Sequence, residues 1–237
     1  MRTMKSFLLI HGGSHGAWCW AKLQEALRRR GARAFALDLP GQGNDTTPKA
    51  SVNRQMYVAA AVNFIKQLPA EQFTLVGHSL AGVILPDVAL ACAPLIEEVV
   101  YLAGLVLDKG EEAMRYIPQD RHALYRKMAA ERSDKSIMFP YERARELFFS
   151  EFSESEAKKL YQQLSAQPLS IYLDAVKVSY DDIPMARRYI ICARDAVLTQ
   201  EVCTEASRRL GGRTQILDAS HDAMLSAPDE LAEILLS

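Results

Sequence analysis

Phe73-Thr74-Leu75-Val76-Gly77-His78-Ser79-Leu80-Ala81-Gly82 carries three structural signals in ten residues. Phe73 to Val76 reads as a short buried strand, and Leu80 to about Ala91 as a helix. Between them lies a turn of small residues around one serine. Strand, sharp turn and helix form the context in which G-x-S-x-G holds a nucleophile at the edge of an α/β sheet. The turn demands small residues two places before and two after the serine. Gly77 and Ala81 meet that demand, with Ala81 where a second glycine is usual. Pro86 should kink the following helix or limit its first part.

Outward from this segment the chain alternates short apolar runs with amphipathic stretches, the rhythm of βαβ units and a parallel sheet. Strands are expected at Phe7–Ile10, Ala32–Leu39, Phe73–Val76, Val99–Leu102, Tyr189–Cys192 and Thr214–Leu217. Helices are expected at Trp18–Arg30, Val52–Gln67 and Pro228–Leu236, with Gly31 ending the first. A long insertion, about 105–184, breaks the rhythm after the fourth strand. It has helical patterns near Arg121–Arg132, Tyr141–Glu151 and Ser153–Ser165, and Ser153 and Glu156 have capping-box spacing. Its position suggests a cap above the sheet edge where ligands bind. The expectation is one α/β-hydrolase domain over residues 1–237, with six mostly parallel strands, helices on both faces and a helical cap.

Bulk properties narrow the function. With 237 residues the chain can bury a large core. A net charge of −1 and no basic run argue against a nucleic-acid partner. No stretch approaches the ~20 apolar residues of a membrane helix. The apolar run near the N-terminus, flanked by Arg2 and Lys5, is too short for a signal-peptide core and reads as a first strand in a cytoplasmic protein. Cys19, Cys92, Cys192 and Cys203 form no metal-ligand spacing and read as buried thiols in a reducing compartment. No metal and no organic cofactor is expected. The oligomeric state is open, and a homodimer is compatible with the sequence.

A serine hydroxyl needs a base to take its proton. Of His11, His15, His78, His122 and His221, only His221 follows the last strand, where the order Ser, Asp, His puts the base. The acid should follow a strand and precede this histidine. Asp195 does, after the fifth strand; Asp108, after the fourth, is its rival. Asp218 and Asp222 lie too near His221 in sequence to orient it. Two N–H donors should face the developing oxyanion. One is Leu80, after the nucleophile. The other should come from the loop His11-Gly12-Gly13-Ser14, with Gly13 the choice.

The segments FLLIHGGSHGAWCW (7–20), ALDLPGQG (36–43), LVGHSLAG (75–82), YIICARD (189–195) and ASHDAML (219–225) resemble the methylesterase and hydroxynitrile-lyase group of α/β-hydrolases. That group includes plant hormone methylesterases and bacterial relatives such as pyrethroid hydrolases. The resemblance covers nearly the whole chain and is weakest in the cap. It implies a Ser79, His221 and Asp195 triad, oxyanion donors at Gly13 and Leu80, and a small, largely apolar pocket for small or medium carboxylic esters. Lyases of the group carry Thr after the first-strand histidine and Lys after the catalytic one, where this chain has Gly12 and Asp222.

The expected reaction is therefore acyl transfer from an ester to water through an acyl-enzyme. The alternatives are lyase-type C–C cleavage on the same scaffold and a non-catalytic small-ligand binding protein. Ser14 and the cap residues Phe139, Phe148, Phe149, Phe152, Tyr161 and Leu164 are expected to contact substrate.

Overall fold

Parallel strands cannot be joined by hairpins, so each needs a crossover. β1 (Ser6–Ile10), α1 (Ala21–Arg29), β2 (Arg33–Leu37), α2 (Arg54–Lys66), β3 (Phe73–His78), α3 (Leu85–Ala91) and β4 (Ile96–Leu102) follow that rule without interruption. The computed structural model describes residues 4–69 and 72–237, so Arg2 of the N-terminal run lies outside the described residues. After β4 come α4 (His122–Ala130), β5 (Ser136–Ile137), α5 (Tyr141–Phe148), α6 (Glu154–Tyr161), β6 (Gln167–Pro168) and α7 (Ser170–Leu173). β7 (Ala186–Cys192), α8 (Gln200–Leu210), β8 (Arg213–Leu217), α9 (Ala223–Ser226) and α10 (Pro228–Leu236) complete the chain.

The main sheet has the order β2-β1-β3-β4-β7-β8. Every neighbouring pair in it is parallel. This is the α/β-hydrolase arrangement the sequence suggested, with no antiparallel strand in the main sheet among the described residues. Alternation along the strands divides the core in two. Leu8, Ile10, Leu75, Val99, Tyr101 and Tyr189 face one side, where α2, α3 and α8 contribute. Phe7, Leu9, Val76, Val100, Leu102 and Ile190 face the other, against α1, α9 and α10. Residues buried on both faces explain why the four central strands, β1, β3, β4 and β7, carry continuous apolar runs, whereas the edge strands β2 and β8 are more exposed.

β1 leads to β2 on one side, while β3 lies on its other side. The loops leaving β1 and β3 therefore meet at a topological switch point, where open α/β sheets bind ligands.

Local signals explain the element boundaries. Asn53 caps α2 by accepting from Met56 N–H at 3.0 Å. Ser153 and Glu156 close the expected capping box at α6. The predicted Trp18–Arg30 helix starts as a 3₁₀ turn, Ala17–Trp20, and becomes α-helical at Ala21. The helix expected from Leu80 is divided: a 3₁₀ turn spans Ser79–Val83 and α3 begins at Leu85. Pro86 thus causes no kink. It sits in the first turn of α3, where a missing N–H removes no helical hydrogen bond. The antiparallel β5–β6 ladder and the short α7 were not foreseen, being too short to show periodicity. No helix among the described residues is long and apolar enough to cross a membrane.

Candidate active site

The turn after β3 forces Ser79 to φ +51°, in the left-handed region that few non-glycine residues occupy. Two close approaches hold it there. A Cβ on Gly77 would lie 2.6 Å from the Leu85 side chain, and one on Gly82 would lie 2.0 Å from the Leu105 carbonyl oxygen. Leu105 N–H also donates to Ser79 O at 3.0 Å, tying the turn to the segment that leaves β4. Gly82, outside the five-residue motif, is therefore more tightly confined than Gly77, because the atom facing it is backbone.

His221 follows β8 and is buried. Its Nδ1–H donates to Asp195 Oδ2 at 2.7 Å. Asp195 Oδ1 accepts from Val197 N–H at 2.7 Å and Leu198 N–H at 2.8 Å, so the carboxylate is fixed by its own loop. Burial alone would lower the His221 pKa. The charge and hydrogen bond of Asp195, with a further contribution from Asp222, reverse this and raise it above the ordinary value of 6.5. Asp108 is elsewhere: half-exposed and paired with Arg209.

Ser79 and His221 line one cavity of about 60 Å³, together with Gly13, Ser14, His15, Leu80 and Phe148. Its outer wall is apolar: Ile117, Tyr125, Phe139, Leu147, Tyr172 and Val197. A larger cleft of about 740 Å³ shares Ile117, Tyr125, Phe139, Leu147 and Val197 with it. Of the predicted contact residues, Ser14, Phe139 and Phe148 line the inner cavity. Phe149, Phe152, Tyr161 and Leu164 line neither space. Phe149 is fully buried in the α1-side core. Phe152 and Leu164 pack against that core. Tyr161 spends its hydroxyl on Phe139 O at 3.0 Å. Helical spacing identified them as inward-facing and could not distinguish core from cavity.

Four further residues surround the centre without having been assigned a role from sequence. His11 Nε2 accepts from Leu39 N–H at 3.1 Å, which leaves Nδ1–H to donate to Gly12 O at 2.8 Å. Burial depresses the His11 pKa to about 4, consistent with a neutral ring. His78, also depressed chiefly by burial, donates from Nε2 to His221 O at 3.0 Å. His15 meets Gly13 O at 2.8 Å and Asp222 Oδ2 at 2.9 Å. His78, His221 and Asp222 bring ligand-type atoms within 4.8 Å of one another. Each already has a protein partner: His78 Nε2 meets His221 O, His221 Nδ1 meets Asp195 and Asp222 Oδ2 meets His15.

Gly12 sits where the first loop passes close to the elbow. A Cβ there would lie 2.8 Å from His78 Nδ1 and 3.0 Å from Ser79 Cβ. The Gly13 N–H has no partner among the described residues and borders the same cavity as Ser79.

Comparison with known proteins agrees with this architecture. Salicylic acid-binding protein 2 of Nicotiana tabacum is 29% identical over 258 residues, covering 100% of this chain and 97% of that protein. Methylesterase 18 of Arabidopsis thaliana is 27% identical, with 97% and 95% covered. An extracellular alpha/beta-hydrolase from a Paenibacillus species superposes with a TM-score of 0.89 at 20% identity, with 98% of each chain covered. The Alpha/beta hydrolase family matches residues 7–234, nearly the entire length, and the chain belongs to that family.

Proposed function

We propose that this protein is a serine carboxylic-ester hydrolase acting on small or medium, largely apolar esters. One observation carries the reading: His221 Nδ1 is held 2.7 Å from a buried carboxylate while the same ring borders the cavity that contains Ser79. With Nδ1 carrying the hydrogen for Asp195, the Nε2 lone pair serves as base. The Ser79 oxygen attacks the ester carbonyl as His221 Nε2 takes its proton. The carbonyl oxygen becomes an oxyanion against the N–H groups of Gly13 and Leu80. Collapse breaks the C–O bond to the alcohol, which leaves with the proton from His221. Water then gives its proton to His221 and adds to the acyl-enzyme, and a second collapse frees the carboxylic acid and Ser79.

The apolar wall from Ile117 to Val197 supports apolar acyl or alcohol groups, and the adjoining cleft is large enough for medium-sized ones. The relatives named methylesterases support ester chemistry of this kind. Cyanide-releasing lyase chemistry is disfavoured by two features. Gly12 has no room for the Thr of lyases, and Asp222 puts a negative charge where they carry Lys.

The test is turnover on p-nitrophenyl and methyl esters of rising acyl size. Ser79→Ala should lower kcat by about 10³-fold or more with an unchanged circular dichroism spectrum. Undiminished ester turnover in that variant would sink the proposal.

A further inference from the structure

We propose that His15 and Asp222 form a positioning pair that locks the oxyanion-binding loop to the loop bearing the base. The inference rests on the reading of Ser79 as nucleophile and of Gly13 N–H as an oxyanion donor. His15 and Asp222 are 207 residues apart in sequence, with side chains 1% and 0% exposed. His15 Nδ1 faces Gly13 O at 2.8 Å and Nε2 faces Asp222 Oδ2 at 2.9 Å. Both partners are acceptors. One ring therefore spans the gap between a backbone carbonyl of the first loop and a carboxylate of the second.

The placement of the pair defines its role. The N–H of Gly13 lies between two carbonyls, and each is held by a histidine: Gly12 O by His11 and Gly13 O by His15. The next residue, Ser14, has φ +67°. It is pinned at its N–H by Gln167 Oε1 at 3.0 Å and at its carbonyl by Ser165 N–H at 2.8 Å. The loop therefore has little freedom, and the Gly13 N–H is the group it leaves to the cavity. Asp222 directly follows His221, whose own carbonyl is held by His78. The His15–Asp222 contact is thus a short rigid path between the oxyanion donor and the base. Burying such a polar pair usually stabilises a fold no better than apolar packing would. A pair that fixes direction, however, supplies alignment that apolar contacts do not.

Asp222→Leu keeps side-chain bulk but removes the acceptor, so His15 Nε2 loses its partner and the tie between the two loops is cut. His15→Gln keeps an amide donor toward Asp222 and loses the donor to Gly13 O. Each variant should lower kcat by about 10- to 100-fold, less than the loss of an oxyanion donor, with KM within about threefold of the parent. Affinity for a trifluoromethyl ketone, which forms an oxyanion adduct on Ser79, should fall in parallel. Affinity for the matching methyl ketone should not. The double variant should be no slower than the worse single one, because both break one link. Full kcat in a folded His15→Gln protein would refute the pairing role, as would single losses that multiply in the double variant. Ser79→Ala measured alongside separates the two claims: if it keeps its turnover, the hydrolase reading itself fails, whatever residue 222 does.

Discussion

Asp195 has both oxygens committed, Oδ1 to two backbone amides and Oδ2 to His221. Asp195→Asn therefore has a definite consequence. With its oxygen kept by the amides of Val197 and Leu198, its NH₂ faces His221 Nδ1. The imidazole must then carry hydrogen on Nε2, the atom that should accept from Ser79. We expect kcat to fall by about 10⁴-fold, as expected when a base is held in the wrong tautomer. The pH profile adds a second check. A base works only when unprotonated, and the His221 pKa is raised above 6.5, so the acid limb of kcat/KM should lie above pH 6.5. Replacing Asp195 removes a cause of the increase and should move any residual limb toward lower pH. That Ser79, Asp195 and His221 stand in loops after strands was legible in the sequence, because each follows a recognisable apolar run. The pairing of His15 with Asp222 was not, because a contact between two loops 207 residues apart leaves no periodic trace.

The strands and crossovers were legible for a different reason. Residues buried on both faces of a sheet form short apolar runs, and four such runs became the central strands β1, β3, β4 and β7; the edge strands β2 and β8 are more exposed and more mixed in composition. Strand ends shifted both ways: β4 begins at Ile96 and includes Glu97 and Glu98, whereas β2, expected over Ala32–Leu39, spans only Arg33–Leu37. The sequence was less informative where packing between elements decides. Gly77 and Ala81 explain the small residues of the elbow, yet the tightest constraint falls on Gly82. The atom that blocks a side chain there is backbone, the Leu105 carbonyl at 2.0 Å, and it cannot rotate away as the Leu85 side chain opposite Gly77 can. Gly82→Ala should cost about 3 kcal/mol of stability, at the upper end of overpacking effects. It should also reduce turnover by displacing the 3₁₀ turn that carries Ser79. Urea unfolding and esterase assays on one preparation measure both; a stable, fully active variant would show that the elbow and the β4 exit move independently.

Across the whole molecule, the buried histidines make folding and catalysis respond to acid in ways that can be separated. His11 is depressed to about 4 and His78 well below its ordinary 6.5, both chiefly by burial. Below pH 6.5 the unfolded chain protonates these two residues while the folded chain holds them neutral. The unfolded state then binds more protons, so stability falls as pH falls, by up to about 1.4 kcal/mol per pH unit for each residue. His221 has the opposite sign. Its raised pKa contributes stability that is complete below 6.5 and is lost as pH rises through its folded value. Between neutral pH and 6.5 the contribution of His221 partly masks the loss; from 6.5 toward 5 the loss from His11 and His78 stands alone. The urea midpoint should therefore change little from pH 7.5 to 6.5 and then drop steeply toward pH 5. Activity should already decline over the first interval, as His221 protonates. His78→Gln retains an amide donor for the His221 carbonyl and removes one of the two depressed groups, so it should make the second interval shallower. A slope unchanged by that substitution would mean that the acid sensitivity of the fold arises elsewhere than in the histidines around the elbow.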